Sequence, residues 1–224
     1  MYQTYHMRDV NVFYNKEDQW SLPREVRGGQ QQLIEPYYVI IRLPSGTQEE
    51  FMLIQPFTPA NKDNLIAWMA ARCDGENYGK LVVYRFPKQE LIFGPLQIEA
   101  RIDQDPEISP QLSLWSQRGS QVIRGNLLII PLGQSLLYVE PLYLQAESGQ
   151  IPELKRVILA SGERVVMTET LNEGLVKLFG AGAGGVAATV GETPATGPAA
   201  TGELPPGMGQ QVYDLARSPA SPPR

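Results

Sequence analysis

YGKLVVYRFPKQELIFGPLQIEARIDQDPEISPQLSLWSQRGSQVIRGNLLIIPLGQSLLYVEPLYLQAE, residues 78–147, decides the fold. Residues 81–86 (LVVYRF) are β-branched and aromatic and stop at Pro87, which predicts a strand. Gly94-Pro95 then opens a helix to about Ile102, because proline suits a first helical turn and Ile98 and Ile102 lie one turn apart. A further helix starts at Asp105-Pro106 or Ser109-Pro110, carries Leu112 and Trp115, and ends near Gly119. Residues 121–130 and 135–145 read as long strands joined by PLGQ, a turn of hairpin length. Pro141 inside the second strand cannot donate to a ladder, which implies an edge position or a bulge.

Toward the N-terminus, PFTPANKDNLIAWMAARCDG (56–75) predicts a helix. Thr58 or Asn61 can cap it, Leu65, Trp68, Met69 and Arg72 have helical spacing, and Gly75 is a stop signal. Before it, residues 37–43 (YYVIIRL) and 50–55 (EFMLIQ) form a hairpin around PSGTQ, closed by Pro56 and Pro59. Residues 23–32 are polar and contain glycine, so they read as a loop. Val10, Phe13 and Tyr14 mark a short helix with Asp9 as its N-cap. Toward the C-terminus, 154–161 and 163–167 form a hairpin around Ser161-Gly162. Thr168 or Thr170 caps a last helix with Leu171, Leu175 and Leu178 on one face. From Gly180 the chain turns to Gly, Ala, Pro and Thr, too poor in large apolar side chains to offset chain entropy. The expected division is a folded region, 1–179, and a disordered tail, 180–224, with Val212, Tyr213 and Leu215 as its candidate docking residues.

Hairpin-length connections dominate, so the expected class is α+β: a largely antiparallel sheet of hairpins packed with several short helices. Leu65, Trp68, Leu81, Val83, Ile98, Trp115, Leu128, Ile130, Leu137 and Val139 are the expected core.

A net charge of −5 without a Lys/Arg cluster argues against a nucleic-acid partner, whose phosphates need a concentrated basic face. No run of eighteen apolar residues exists, so no helix of this chain is expected to span a bilayer. The start, MYQTYHMRDV, lacks the charged-then-apolar pattern of a signal peptide. The single cysteine, Cys73, rules out an internal disulfide and a cysteine-based zinc site, and its position among apolar residues favours packing over nucleophilic chemistry.

His6, the only histidine, would have to serve any Ser-His or Cys-His site, yet no GxSxG element accompanies a serine. Asp103, Asp105 and Glu107 alternate like calcium-loop ligands, but Ile108 and Leu114 stand where such a loop needs Gly and Glu, so helix capping explains them better. GAGAGG at 180–185 follows a helix and lacks the Lys-Ser/Thr of a phosphate loop, so it reads as a linker. Glu35-Pro-Tyr-Tyr is echoed by Glu140-Pro-Leu-Tyr; both sit at strands, where packing outweighs a ligand role. His6, Asp9, Glu35 and Glu140 remain as binding candidates. No catalytic residue, metal or cofactor is expected.

The stretches TYHMRDVNVFYNKEDQW (4–20), EPYYVIIRLP (35–44), EEFMLIQPFTPANKDNLIAWMAARCDGENYGKLVVYRFPK (49–88), FGPLQIEARIDQDPEIS (93–109), LWSQRGSQVIRGNLLIIPLGQSLLYVEPLYLQAE (114–147) and PELKRVILASGERVVM (152–167) together resemble the C-terminal part of the UPF0182 family of large bacterial membrane proteins. The resemblance implies an N-terminal block of membrane helices, absent from this chain, and a soluble region outside the cytoplasm, of which this is the end. It further implies that the chain is a fragment, or the product of a split or truncated gene, partnered by the missing membrane-embedded part. The expected function is non-catalytic: an extracytoplasmic domain serving assembly or ligand binding. The alternatives are a cell-envelope enzyme sharing its site with missing parts and a stand-alone cytosolic binding protein. The small-molecule ligand is open.

Overall fold

The computed structural model describes residues 1–27, 29–43, 46, 48–87, 89–117, 119–132, 135–149, 151–181 and 213–214. In chain order these form α1 (Tyr2–Tyr5), α2 (Val10–Asn15), β1 (Trp20–Ser21), β2 (Arg24–Arg27), β3 (Gln30–Leu33), β4 (Tyr37–Arg42), β5 (Glu49–Pro59), β6 (Ala67–Arg72), a 3-10 turn (Gly75–Asn77) and β7 (Leu81–Arg85). There follow α3 (Pro95–Gln104), α4 (Ile108–Trp115), β8 (Ser120–Arg124), β9 (Leu128–Leu132), β10 (Ser135–Ala146), β11 (Glu153–Ser161), β12 (Arg164–Thr168), α5 (Leu171–Phe179) and β13 (Tyr213–Asp214). One sheet runs β1-β5-β6-β7-β13, with β4 also on β5; a second runs β12-β11-β10-β8, with β9 also on β10; β2 and β3 pair alone. Every strand pair is antiparallel, so the α+β architecture of hairpins and short helices holds.

The helix expected over 56–75 is absent: Ala67–Arg72 is the strand β6, hydrogen-bonded to β5 on one side and β7 on the other. Trp68 and Ala70 join Met52, Ile54, Val82 and Tyr84 in one cluster, while Met69 packs on the opposite face with Phe57 and Val83. That is a period of two, and a helix here would leave the facing edges of β5 and β7 unpaired; tertiary pairing overrides the helix propensity of the alanines. Pro59 closes β5, but Pro56 does not. β4 stops opposite Ile54 and β1 begins opposite Thr58, so Pro56 lies where that edge has no neighbour and its missing N–H costs no ladder bond. In place of the loop expected over 23–32, Arg24–Arg27 and Gln30–Leu33 pair as the polar hairpin β2–β3.

The long strand expected over 121–130 is broken. β8 and β9 both pair with β10, but Arg124 faces Leu142 whereas Ile129 faces Tyr138, an offset of one residue. The offset flips the inward face: Leu127 and Ile129 are buried, and Leu128 and Ile130 turn to the other side, half-buried. Gly125 fills the gap, donating its N–H to the Pro141 carbonyl at 2.8 Å. A Cβ at Gly125 would come within 2.7 Å of Pro141 Cγ. Pro141 therefore sits in a central strand, beside a register shift between Leu142 and Tyr143, which is the bulge and not the edge. Of the other expected core residues, Leu81 is exposed and Trp115 is half-buried, with the Arg156 guanidinium over its ring.

The second sheet is covered on both faces. Ile98 and Ile102 of α3 and Ile108 of α4 pack against Ile129, Tyr138, Leu142 and Ile158. On the reverse, Leu175 and Leu178 of α5 meet Leu137, Val139, Val157 and Leu159. Thr170 caps α5 by accepting the Glu173 N–H. Pro110 is tolerated in α4 because it falls in the first turn, where N–H groups have no intrahelical acceptor. One residue ties the two sheets together: the Tyr37 hydroxyl donates to the Ile129 carbonyl (2.6 Å) and accepts from the Ile129 N–H (3.1 Å). Of the expected tail, Gly180, Ala181 and Tyr213–Asp214 lie among the described residues, the last two as a short strand on β7; the rest of the expected disordered segment falls outside them.

Candidate functional site

Three features stand out: a cleft at the N-terminus, a buried charge cluster between α3 and β10, and an open apolar sheet face. A cleft of about 550 Å³ opens beside α1 and α2, with His6, Asp9, Asp18 and Arg85 in its wall. The His6 ring stacks on Trp20, with centroids 3.9 Å apart. Its Nδ1 lies 2.9 Å from the Tyr2 carbonyl, so that nitrogen carries the hydrogen and donates. Nε2 is buried, lacks a hydrogen-bond partner among the described residues, and stands 3.7 Å from Asp18 Oδ2. Asp9 spends Oδ1 on the N–H groups of Asn11 and Val12 (2.8 and 3.1 Å), the cap of α2.

The charge cluster draws on four elements. Arg124 of β8 binds Glu140 of β10 in a fork, Nε to Oε1 at 2.5 Å and Nη2 to Oε2 at 3.0 Å. Its Nη1 reaches Asp103 Oδ1 at 2.7 Å, and Nη2 also contacts Glu99 Oε2, both acids from α3. Glu25 of β2 enters from the polar hairpin, accepting the Leu127 N–H (3.2 Å) and the Gln32 side-chain amide (3.3 Å). Glu25, Glu99 and Glu140 are all buried, and Glu140 is 0 % exposed. Two buried carboxylates, Glu99 and Glu140, thus share a single arginine with the more exposed Asp103, and Glu25 lies close enough to act on Glu99 through its charge. Burial first, then the Glu140 charge, pushes Glu99 up to about 8. Burial also raises Glu140, opposed by the two hydrogen bonds from Arg124, so burial drives both members of the pair toward the protonated form.

The four sequence candidates are therefore dispersed. His6 and Asp9 share the cleft. Glu140 is the centre of the buried cluster, and Glu35 is exposed between β3 and β4, in neither place. Reasoning from sequence missed Arg124, Glu99, Asp103 and Glu25. The available signal was a lone acid inside the apolar run SLLYVEPLYL, and two acids one turn apart flanking Ile102 on α3. Asp105 caps α4 as expected, accepting the Glu107 and Ile108 N–H groups at 2.9 Å each, whereas Asp103 serves Arg124 instead. The Cys73 thiol donates to the Ala71 carbonyl (3.3 Å). Among the described residues no group of three or more His, Cys, Asp or Glu is arranged to hold a metal ion, and no helix is long and apolar enough to cross a membrane.

The open face belongs to the first sheet. Tyr38 and Ile40 of the edge strand β4 are 61 % and 69 % exposed, and the Phe51 ring stacks on Tyr38 with centroids 5.0 Å apart. Beside them an apolar groove of about 440 Å³ runs past Leu53, Met69, Ala71 and Leu81 to Tyr2 at the N-terminus. Among the described residues no strand pairs with the outer edge of β4.

A family model described as the uncharacterised protein family UPF0182 matches residues 1–115. A UPF0182 protein of Trichodesmium erythraeum is 63 % identical over 180 residues, 80 % of this chain and 20 % of the relative. One from Pelotomaculum thermopropionicum is 61 % identical over 183 residues, 82 % of this chain and 20 % of the relative. One from Methanospirillum hungatei is 59 % identical over 181 residues, 80 % of this chain and 20 % of the relative. The chain thus spans about a fifth of the length of these curated relatives. No solved structure matches.

Proposed function

The chain belongs to the UPF0182 family, and we propose that it is a non-catalytic docking domain, seated at the extracytoplasmic face of a multi-pass membrane protein, whose open sheet receives another part of the same family polypeptide. The carrying observation is the exposed strip Tyr38, Ile40 and Phe51 on an edge strand with a free outer edge. Contiguous apolar surface of this kind marks an interaction site, and an unpaired edge is a template for a further strand. Relatives five times as long supply the occupant in cis. The largely buried cluster at Arg124 is a support for this domain and not a reaction centre: its charges are turned on one another.

The test is to produce the chain alone and together with the remainder of a family protein. Alone it self-associates, binds a hydrophobic dye, and exchanges amides quickly across 37–43. The remainder suppresses all three, and Ile40→Asp abolishes the co-purification. A monodisperse chain that excludes the dye and exchanges slowly in β4 defeats the proposal.

A further inference from the structure

We infer that Glu99 and Glu140 form a proton-binding site, in which one proton held on Glu99 keeps α3 seated on the second sheet and its release loosens that joint. The geometry is specific. One atom, Arg124 Nη2, contacts both Glu99 Oε2 and Glu140 Oε2, so the two carboxyl groups are brought together on a single donor. Glu140 takes the forked bond, with Arg124 Nε on its other oxygen. Both Glu99 oxygens are buried without a hydrogen-bond partner among the described residues, Oε2 only touching Arg124 Nη2, on a side chain 3 % exposed. A carboxylate in that position is a stranded charge; a carboxylic acid is not.

Among the described residues, the groups facing the pair offer no second cation. Glu99 and Asp103 come from α3, Glu25 from β2, Arg124 from β8 and Glu140 from β10. The nearby Tyr37 and Tyr138 hydroxyls are held neutral by burial and are committed to Ile129 and to the Phe93 carbonyl. Arg101, the arginine of α3, points away to the Gly162 and Glu163 carbonyls. A proton is the occupant that fits, because like carboxyls in contact cannot both ionise. The position matters because α3 also packs on β2, so one titration acts on the hairpin, the helix and the sheet together.

The sign follows from linkage. With Glu99 raised from 4.5 to about 8, its contribution to stability is fully present below about 4.5, is lost progressively as pH rises, and is gone once pH passes about 8. The experiment uses the 224-residue chain. Infrared spectra between pH 6 and 10 are expected to show the carbonyl stretch of a buried carboxylic acid, disappearing through about pH 8. Glu99→Gln removes the band, flattens the fall of stability with pH, and holds amide exchange in α3 slow at pH 9. Glu140→Gln leaves the band but lowers its midpoint on protein still folded by circular dichroism. A purely structural role moves stability without a titrating band. Absence of the band at pH 6, its persistence in Glu99→Gln, or a midpoint unmoved in Glu140→Gln overturns the inference.

Discussion

The two larger sheets obey the same alternation of side chains and end in different states. In β10 both alternating sets are buried: Leu136, Tyr138 and Leu142 under α3 and α4, Leu137 and Val139 under α5. In β4 and β5 both sets are again apolar, yet only one is covered. Ile41, Met52 and Ile54 lie in the interior, while Tyr38, Ile40 and Phe51 face solvent. The first sheet has its outer face closed only at one end, by Trp20 and Tyr2. A pattern that is apolar on both faces announces two neighbours. Where the second sheet has both, the first has one among the described residues.

The comparison can be broken at four points. Arg124→Met removes the half-buried arginine that Glu99 and Glu140 share and leaves the two acids together; the expected loss is about 3–5 kcal/mol in urea unfolding. A loss below 1 kcal/mol would mean that the cluster is wet. Leu159→Ala, at a 0 % exposed position between β11 and α5, is expected to cost about 2–5 kcal/mol. Gly174→Ala places a methyl group 2.2 Å from the present position of Leu159 Cδ1, and α5 must lift from the sheet to admit it, at about 1–3 kcal/mol by the same measurement. On the open face Ile40→Lys should change stability by no more than about 0.5 kcal/mol while reducing dye binding. A large loss from Ile40→Lys would place a cover over that face and erase the contrast between the sheets.

Hairpins and capped ends were legible because their signals are local. Ser161-Gly162 turns β11 into β12, and Thr170 and Asp9 cap the helices assigned to them. Trp68 misled because Leu65, Trp68, Met69 and Arg72 satisfy a helical period by coincidence, although the last three lie in the strand Ala67–Arg72. What settled β6 was the demand of β5 and β7 for a partner, which no window of sequence contains. The hairpin β2–β3 escaped for the opposite reason: β3 is exposed throughout, so it shows no alternation, and the one buried residue opposite it, Glu25, is charged. The cluster at Arg124 is assembled from positions 25, 99, 103, 124 and 140, so only the meeting of four elements reveals it. The one-residue offset at Gly125 likewise inverted the faces of Leu128 and Ile130, a change that composition alone does not signal.

The hydroxyl of Tyr37 acts as a surrogate strand. By bonding both the N–H and the C=O of Ile129, it occupies the place a neighbouring backbone would take beside β9. The two residues are 92 positions apart, so the bond closes a long loop and belongs to the late stages of folding. Until it closes, β9 presents an open edge to any other nascent chain. Synthesis runs in the favourable direction, since the strand bearing Tyr37 leaves the ribosome before β9 exists. The earlier sheet is thus already in place to shield the later one as it emerges, and a rearrangement of the gene that reversed their order would forfeit that protection.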